Sequence, residues 1–240
     1  MKTAAIIIVG NEILSGKVED LNARFLIAEL RALGVALRHV AVIPDDVEAI
    51  AAAVRGLCAR VDYLFTSGGV GPTHDDLTIE GVARGLGRRV VRAPTLEALL
   101  RAHFGPDALD SALRMADVPE GAEMIGEELR WPVCLVQNVY VLPGVPEIFR
   151  RKFLAIKERF RDTPFVLRSI WVRAEESRLA QGISQVAAQI PEVEIGSYPR
   201  SDPDGPVVRI TVESKAADAV ARAVARLVEG LPEASLLRTE

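Results

Sequence analysis

The chain has 240 residues, of which 49% are hydrophobic, 26% charged and 5% aromatic, ordinary globular usage that excludes a disordered or collagen-like chain. Lys and Arg number 29 against 33 Asp and Glu, and the net charge of −4 argues against a general nucleic-acid or membrane-surface binder, since both need a basic excess. Two cysteines, Cys58 and Cys134, are too few for a disulfide framework, and no apolar run approaches the ~18 residues of a membrane span.

Both cysteines lie in apolar settings and read as buried small hydrophobes. The first residues carry a cation and an apolar run too short for a signal peptide, followed at once by Glu12, so they read as the first strand of a cytoplasmic protein. Ala4–Val9 is continuously apolar and ends in Gly10, the pattern of a parallel strand buried on both faces. A loop over 10–20 precedes a helix from near Asn22, with Phe25, Leu26, Leu30 and Leu33 on one face and Gly34 as its stop. Strand 35–43, a helix opened by Pro44, Asp45 and Asp46, strand 62–66 and a helix over 77–86 follow. This alternation implies right-handed crossovers and a parallel sheet covered on both faces. Residues 94–118 read as helical connections, and 134–142 as either a hairpin around Gln137-Asn138 or one bent strand. A helix over 147–160 leads to a composition shift at Asp162-Thr163-Pro164. Beyond it the order β-α-β-β-α fits a small sheet with helices on one face. The expected fold is a three-layer α/β/α domain with a mostly parallel sheet over 1–162, plus a smaller C-terminal α+β domain over 165–240.

Ligands of open parallel sheets bind beyond the carboxyl ends of the strands. Four polar or glycine-rich segments fall there: Gly10-Asn11-Glu12, Asp45-Asp46, Ser67–Asp76 and Pro143–Glu147. In the third, a strand, three glycines and a helix start aim backbone N–H groups at one spot, an anion or phosphate cradle. It has neither the P-loop lysine nor GxGxxG spacing. A tight turn with Thr73 as helix cap and Asp76 as its box partner would account for part of the same pattern. Asp75 and Asp76 beside a phosphate cradle fit magnesium, which takes one or two carboxylates plus phosphate oxygens; helix-dipole preference also places aspartates there. Asp45 fits equally a helix N-cap after Pro44. His74, a lone histidine in a loop, reads as a residue that supports a ligand-contacting neighbour or as a solvated one, with no catalytic role. Pro143-Gly144-Val145-Pro146 is a rigid turn that lets a ligand approach Gly144 closely. The basic run Arg150-Arg151-Lys152 with Lys157, Arg159 and Arg161 reads as a solvated helix face.

The segments GNEILSGKVEDLN, IPDD, TSGGVGPTHDDLTIEGVA and LPGVPEIF resemble the molybdopterin-binding (MoaB/Mog) superfamily, and GG-x-GPT-x-DD-x-T resembles its CinA competence/damage-inducible branch. NVYVLPGVPEIFRR, IGSYP and LPEASLL are similar to the amino-terminal molybdopterin-binding-like region of eukaryotic FAD synthases, so the likeness covers essentially the whole chain. The resemblance implies that Ser67, Gly68, Gly69, Gly71, Thr73, Asp75 and Thr78 belong to the loop binding pterin or nucleotide phosphates. It implies that Asp45 and Asp76 support divalent-metal-dependent chemistry, as catalytic residues and candidate ligands of magnesium or a similar ion. Pro143, Gly144 and Pro146 would line the same pocket, with Gly10, Glu12 and Asn22 in the first-loop motif. Val70 stands where adenylyltransferases usually carry threonine. The implied partner is a small nucleotide or molybdopterin, in a homo-oligomer. The implied activity is hydrolysis of a dinucleotide pyrophosphate such as ADP-ribose or FAD, with molybdopterin binding or adenylyl transfer, and a non-catalytic regulatory module, as alternatives.

Overall fold

A computed structural model describes residues 1–105, 109–126, 129–232 and 235–240, and divides them into two compact units, Met1–Asp162 and Thr163–Glu240. In the first unit, β1 (Thr3–Val9), β2 (Ala36–Ile43), β3 (Tyr63–Ser67), β6 (Glu123–Ile125), β7 (Val133–Val136) and β8 (Val139–Leu142) form one sheet of order β2-β1-β3-β8-β7-β6. The four strands β2, β1, β3 and β8 run parallel; at the edge β7 pairs antiparallel with β8, and β6 antiparallel with β7. The 134–142 segment is therefore a hairpin, with Gln137 taking φ 55° at its turn. A short pair, β4 (Val90–Arg92) with β5 (Asp117–Pro119), stands apart from the main sheet.

The apolar run of β1 is explained by the two layers it touches. Ile6 and Ile8 face a cluster with Leu26 and Leu30 of α2 (Asn22–Ala32) and Phe149 and Phe153 of α7 (Pro146–Ile156). Ile7 and Val9 face Ile50 and Val54 of α3 (Val47–Cys58), Val82 of α4 (Thr78–Gly85) and Leu96 and Leu100 of α5 (Pro94–Phe104). Helices thus cover both faces, the three-layer α/β/α arrangement. Phe65, Tyr140, Phe153 and Phe160 interlock on the first face, with the Phe65 and Tyr140 ring centroids 5.2 Å apart.

In the second unit, β9 (Val166–Arg173), β10 (Glu194–Arg200), β11 (Val207–Ser214) and β12 (Leu236–Thr239) form an antiparallel sheet of order β10-β11-β9-β12. Alternate residues Ile170, Val172, Val208, Ile210 and Val212 share one core with Leu179 and Val186 of α8 (Glu176–Gln189) and Val220, Ala223 and Leu227 of α9 (Ala217–Glu229). On the opposite parity, Trp171 carries the guanidinium groups of Arg200, Arg209 and Arg238 over its ring. No helix among the described residues is long and apolar enough to cross a membrane.

Several expectations need correction. The 10–20 loop contains a helical turn, α1 (Asn11–Leu14). Within 94–118, α5, α6 (Asp110–Leu113) and a 3-10 turn are joined by strand β5, while residues 106–108 lie outside the described residues. Cys134 is buried but Cys58 is only half-buried. Lys152 is not on a solvated face: it is buried, on the same stripe of α7 as Phe149, Phe153 and Ile156, and donates to Pro132 O at 2.8 Å.

Candidate functional site

Parallel strands end on the same side, so the loops after β1, β2, β3 and β8 share the carboxyl edge of the sheet. They meet at Gly68. Its N–H donates to Leu142 O at 3.2 Å, and its φ is +101°. A β-carbon there would collide with Val9 O, so only glycine lets the β3 loop pass the end of β1. Gly144 closes from the other side, where a β-carbon would lie 3.2 Å from Gly68 Cα.

Buried side chains fix this crossing. Asn22, 2% exposed at the start of α2, donates through Nδ2 to Ser67 Oγ at 2.9 Å and Gly144 O at 2.8 Å. Its Oδ1 is buried with no partner. Thr78, fully buried at the head of α4, donates through Oγ1 to Gly68 O at 2.8 Å, and its N–H donates to Gly69 O at 2.9 Å. With both carbonyls tied back to Thr78, the peptide planes of the glycine loop are set in advance of a ligand. Asn22, Ser67 and Thr78 are thus scaffold, while Gly69, Gly71 and Thr73 stand nearer solvent.

The acidic residues divide into different jobs. Asp46, not Asp45, caps α3, its Oδ1 accepting from Ala49 N–H at 2.8 Å. Asp45 instead accepts from Asn11 N–H through Oδ2 at 2.8 Å, tying the β2 loop to the β1 loop. Glu12 folds its carboxylate back against Gly10, whose N–H donates to Ile43 O at 3.1 Å. Thr73 does not cap α4, which begins at Thr78 after Leu77. Its N–H donates to Asp76 Oδ2 at 2.8 Å, and its Oγ1 lies 2.5 Å from both Asp75 Oδ1 and Asp76 Oδ2. The Thr73 hydroxyl, aided by Asp75's own backbone N–H, holds the Asp75 carboxyl below its usual range. Asp76 also lies against Gly71. His74 is almost fully exposed, 3.9 Å from Asp75 Oδ1. Pro146 occupies the first turn of α7, where its missing N–H costs nothing, and Pro143 precedes Gly144 in the same turn.

Three clusters therefore result: Gly10–Glu12 with Asp45, the Ser67–Gly69 crossing with Asn22, Thr78 and Gly144, and the Gly71–Asp76 rim. Among the described residues no group of three or more His, Cys, Asp or Glu side chains could hold a metal by itself. The Asp75–Asp76 pair fits the lighter requirement of magnesium, one or two carboxylates with phosphate oxygens completing the shell. Sequence reasoning missed Asp20, whose carboxylate accepts from Asn22 N–H at 3.2 Å and Ala23 N–H at 3.0 Å and so starts α2. The signal was present, an aspartate two residues ahead of the apolar periodicity.

Comparison with known proteins follows the same division. Residues 5–162 match the family described as probable molybdopterin binding domain, and 164–240 match the FAD synthase middle domain. The chain is similar to an Archaeoglobus fulgidus protein, 36% identical over 197 residues that cover 81% of this chain and 85% of the relative. It is 31% identical over 257 residues to a probable FAD synthase of Caenorhabditis elegans, covering 95% of this chain and 50% of that protein, so the chain spans about half its length. Among solved structures, the protein CinA from Thermoplasma acidophilum superposes with a TM-score of 0.61 at 32% identity, over 66% of this chain and 98% of that one. On the fold, the glycine-loop crossing and these matches together, the chain belongs to the molybdopterin-binding-domain family, with CinA and FAD synthases among its relatives.

Proposed function

We propose that the first unit binds the phosphates of a dinucleotide pyrophosphate, such as ADP-ribose or FAD, and hydrolyses the pyrophosphate link. The observation that carries this reading is the crossing at Gly68, where three strand-end loops are locked around one glycine by Asn22, Thr78 and Gly144. A segment so fixed presents its amides without reorganisation, which is what stabilises charge building on a phosphoryl group. Gly69 and Gly71 would supply N–H donors, and Thr73 would hold Asp75 and Asp76 at the rim. Asp76, aided by Asp45 or Asp75, would hold a magnesium ion or orient the attacking water. Such an ion supplies charge neutralisation at the phosphoryl oxygens. The reaction adds one water across the P–O–P bond, giving AMP and ribose 5-phosphate from ADP-ribose, or AMP and FMN from FAD.

The match to a probable molybdopterin binding domain favours a second reading, molybdopterin binding or adenylyl transfer at the same cradle. The test is to incubate the purified chain with ADP-ribose, FAD, and ATP plus molybdopterin, with and without magnesium, and to identify products. Magnesium-dependent release of AMP with ribose 5-phosphate or FMN is the expected result. Adenylylated pterin without dinucleotide cleavage would replace the first reading by the second, and binding without any product would make the site a regulatory module.

A further inference from the structure

Lys152 is a buried cation with no part in the hydrolysis proposed above. It lies on the inward stripe of α7 and is 7% exposed. Its bond to Pro132 O occupies one of the three ammonium donors. Lys152 also lines a cavity of about 70 Å³ together with Gly71 of the glycine loop, Arg114, Asp117, Trp131 and Cys134. A single water needs roughly 10–15 Å³ of such space, so the cavity has room for one phosphoryl-sized oxyanion.

Among the described residues, the charges lining this cavity are unbalanced. Asp117 is engaged with Arg92, its Oδ1 accepting from Nε at 2.5 Å. Burial pushes the Cys134 thiol up to about 12, so it stays neutral and offers no counter-charge at neutral pH. Burial, reinforced by Arg151, lowers the Lys152 ammonium to about 8, which still leaves it mostly charged at pH 7. A buried cation held by a backbone carbonyl is costly to keep, and an anion delivered by a ligand would complete it.

We propose that this cavity is a second oxyanion subsite, in which Lys152 Nζ and Arg114 receive the phosphate adjoining the one held by the glycine loop. The ligand is thereby narrowed to a diphosphate or a diphosphate ester. The inference rests on the glycine loop being a phosphate cradle, and it adds the residues that count the phosphates.

Inorganic pyrophosphate and inorganic phosphate, titrated by calorimetry into the full chain without metal, test it. The wild-type chain binds pyrophosphate about tenfold or more tightly than phosphate, the worth of one charge-assisted contact. Lys152→Met keeps the length and apolar contacts of the side chain and removes its charge; it erases that preference. Arg114 is exposed, so Arg114→Gln is the safeguard should the methionine variant fail to fold, and it reduces the preference at least threefold. A folded Lys152→Met chain with an unchanged preference overturns the proposal and makes Lys152 only a tie between α7 and Pro132. A wild-type chain that does not distinguish the two anions overturns it as well, as does an unchanged preference in Arg114→Gln. The two readings fail separately. A Lys152-dependent preference without dinucleotide cleavage removes the hydrolytic function and keeps the subsite. Cleavage with an unchanged preference in the variants does the reverse.

Discussion

At the scale of single residues, the candidate site contrasts residues that must be what they are with residues that act through charge. Gly68 belongs to the first kind: its φ of +101° and the Val9 carbonyl where a β-carbon would go leave no space for alanine. Gly68→Ala is expected to destabilise the first unit by roughly 1–3 kcal/mol from backbone strain alone, with the clash in addition; urea denaturation measures it, and a loss under about 0.5 kcal/mol would contradict the packing described. Asp76 and Asp45 belong to the second kind. Asp76→Asn and Asp45→Asn both keep an oxygen for the Thr73 and Asn11 N–H groups, so both should fold. Turnover should fall by two orders of magnitude or more, about 2.7–4 kcal/mol, as when one electrostatic stabiliser is lost. The double variant should lose less than the sum if both act on one ion or one water; full magnesium-dependent turnover in it would reduce the aspartates to loop ties. Lys152 gives a pH signature. Its folded-state value of about 8 lies below the ordinary lysine value of 10.5, so the unfolded chain binds more protons between those values and stability rises with pH there. Cys134, raised from 9.0 to about 12, contributes the opposite slope above pH 9. Stability should therefore climb by on the order of 1 kcal/mol from pH 8 to 9, at about 1.36 kcal/mol per pH unit. The climb should be absent in Lys152→Met; an identical climb in that variant would assign it to another group.

At the scale of elements, strands buried on both faces announce themselves and short edge strands do not. The run Ala4–Val9 has no polar residue because both of its faces meet helices, and the apolar pattern by itself puts β1 at the centre of the sheet. By contrast β4, β5 and β6 have three residues each, too few for a period of two to emerge, and β12 follows a proline with exposed residues only. Lys152 shows a different failure. Beside Arg150 and Arg151 it reads as one of a charge run, yet its spacing from Phe149, Phe153 and Ile156 puts it on the buried stripe of the same helix. The site motifs were legible as strand ends and glycines; the swap of roles between Asp45 and Asp46 was not, because either aspartate can cap a helix after Pro44. Asn22 couples three elements, α2, β3 and the turn after β8, through one amide. Asn22→Ala leaves the buried Ser67 Oγ without its donor and frees the turn at Gly144, and it should cost about 1–3 kcal/mol, read as a lowered urea midpoint with an unchanged slope.

At the scale of the whole molecule, the two units each carry their own apolar cluster, and among the described residues none of the three clusters draws on both. Residues Thr163–Glu240 expressed alone should therefore unfold cooperatively, followed by Trp171, the single tryptophan of that segment; a fragment without a cooperative transition would contradict an independent core. The central claim concerns the first unit, that loops scattered over more than a hundred residues of chain serve one phosphate-binding site. Hydrogen exchange with and without ADP-ribose, in EDTA so that the ligand is not turned over, tests this most directly. The prediction is simultaneous added protection in peptides containing Gly10–Glu12, Gly68–Asp76 and Gly144–Pro146, with none in β9–β12. Protection confined to one of these loops, or found only in the second unit, would contradict it.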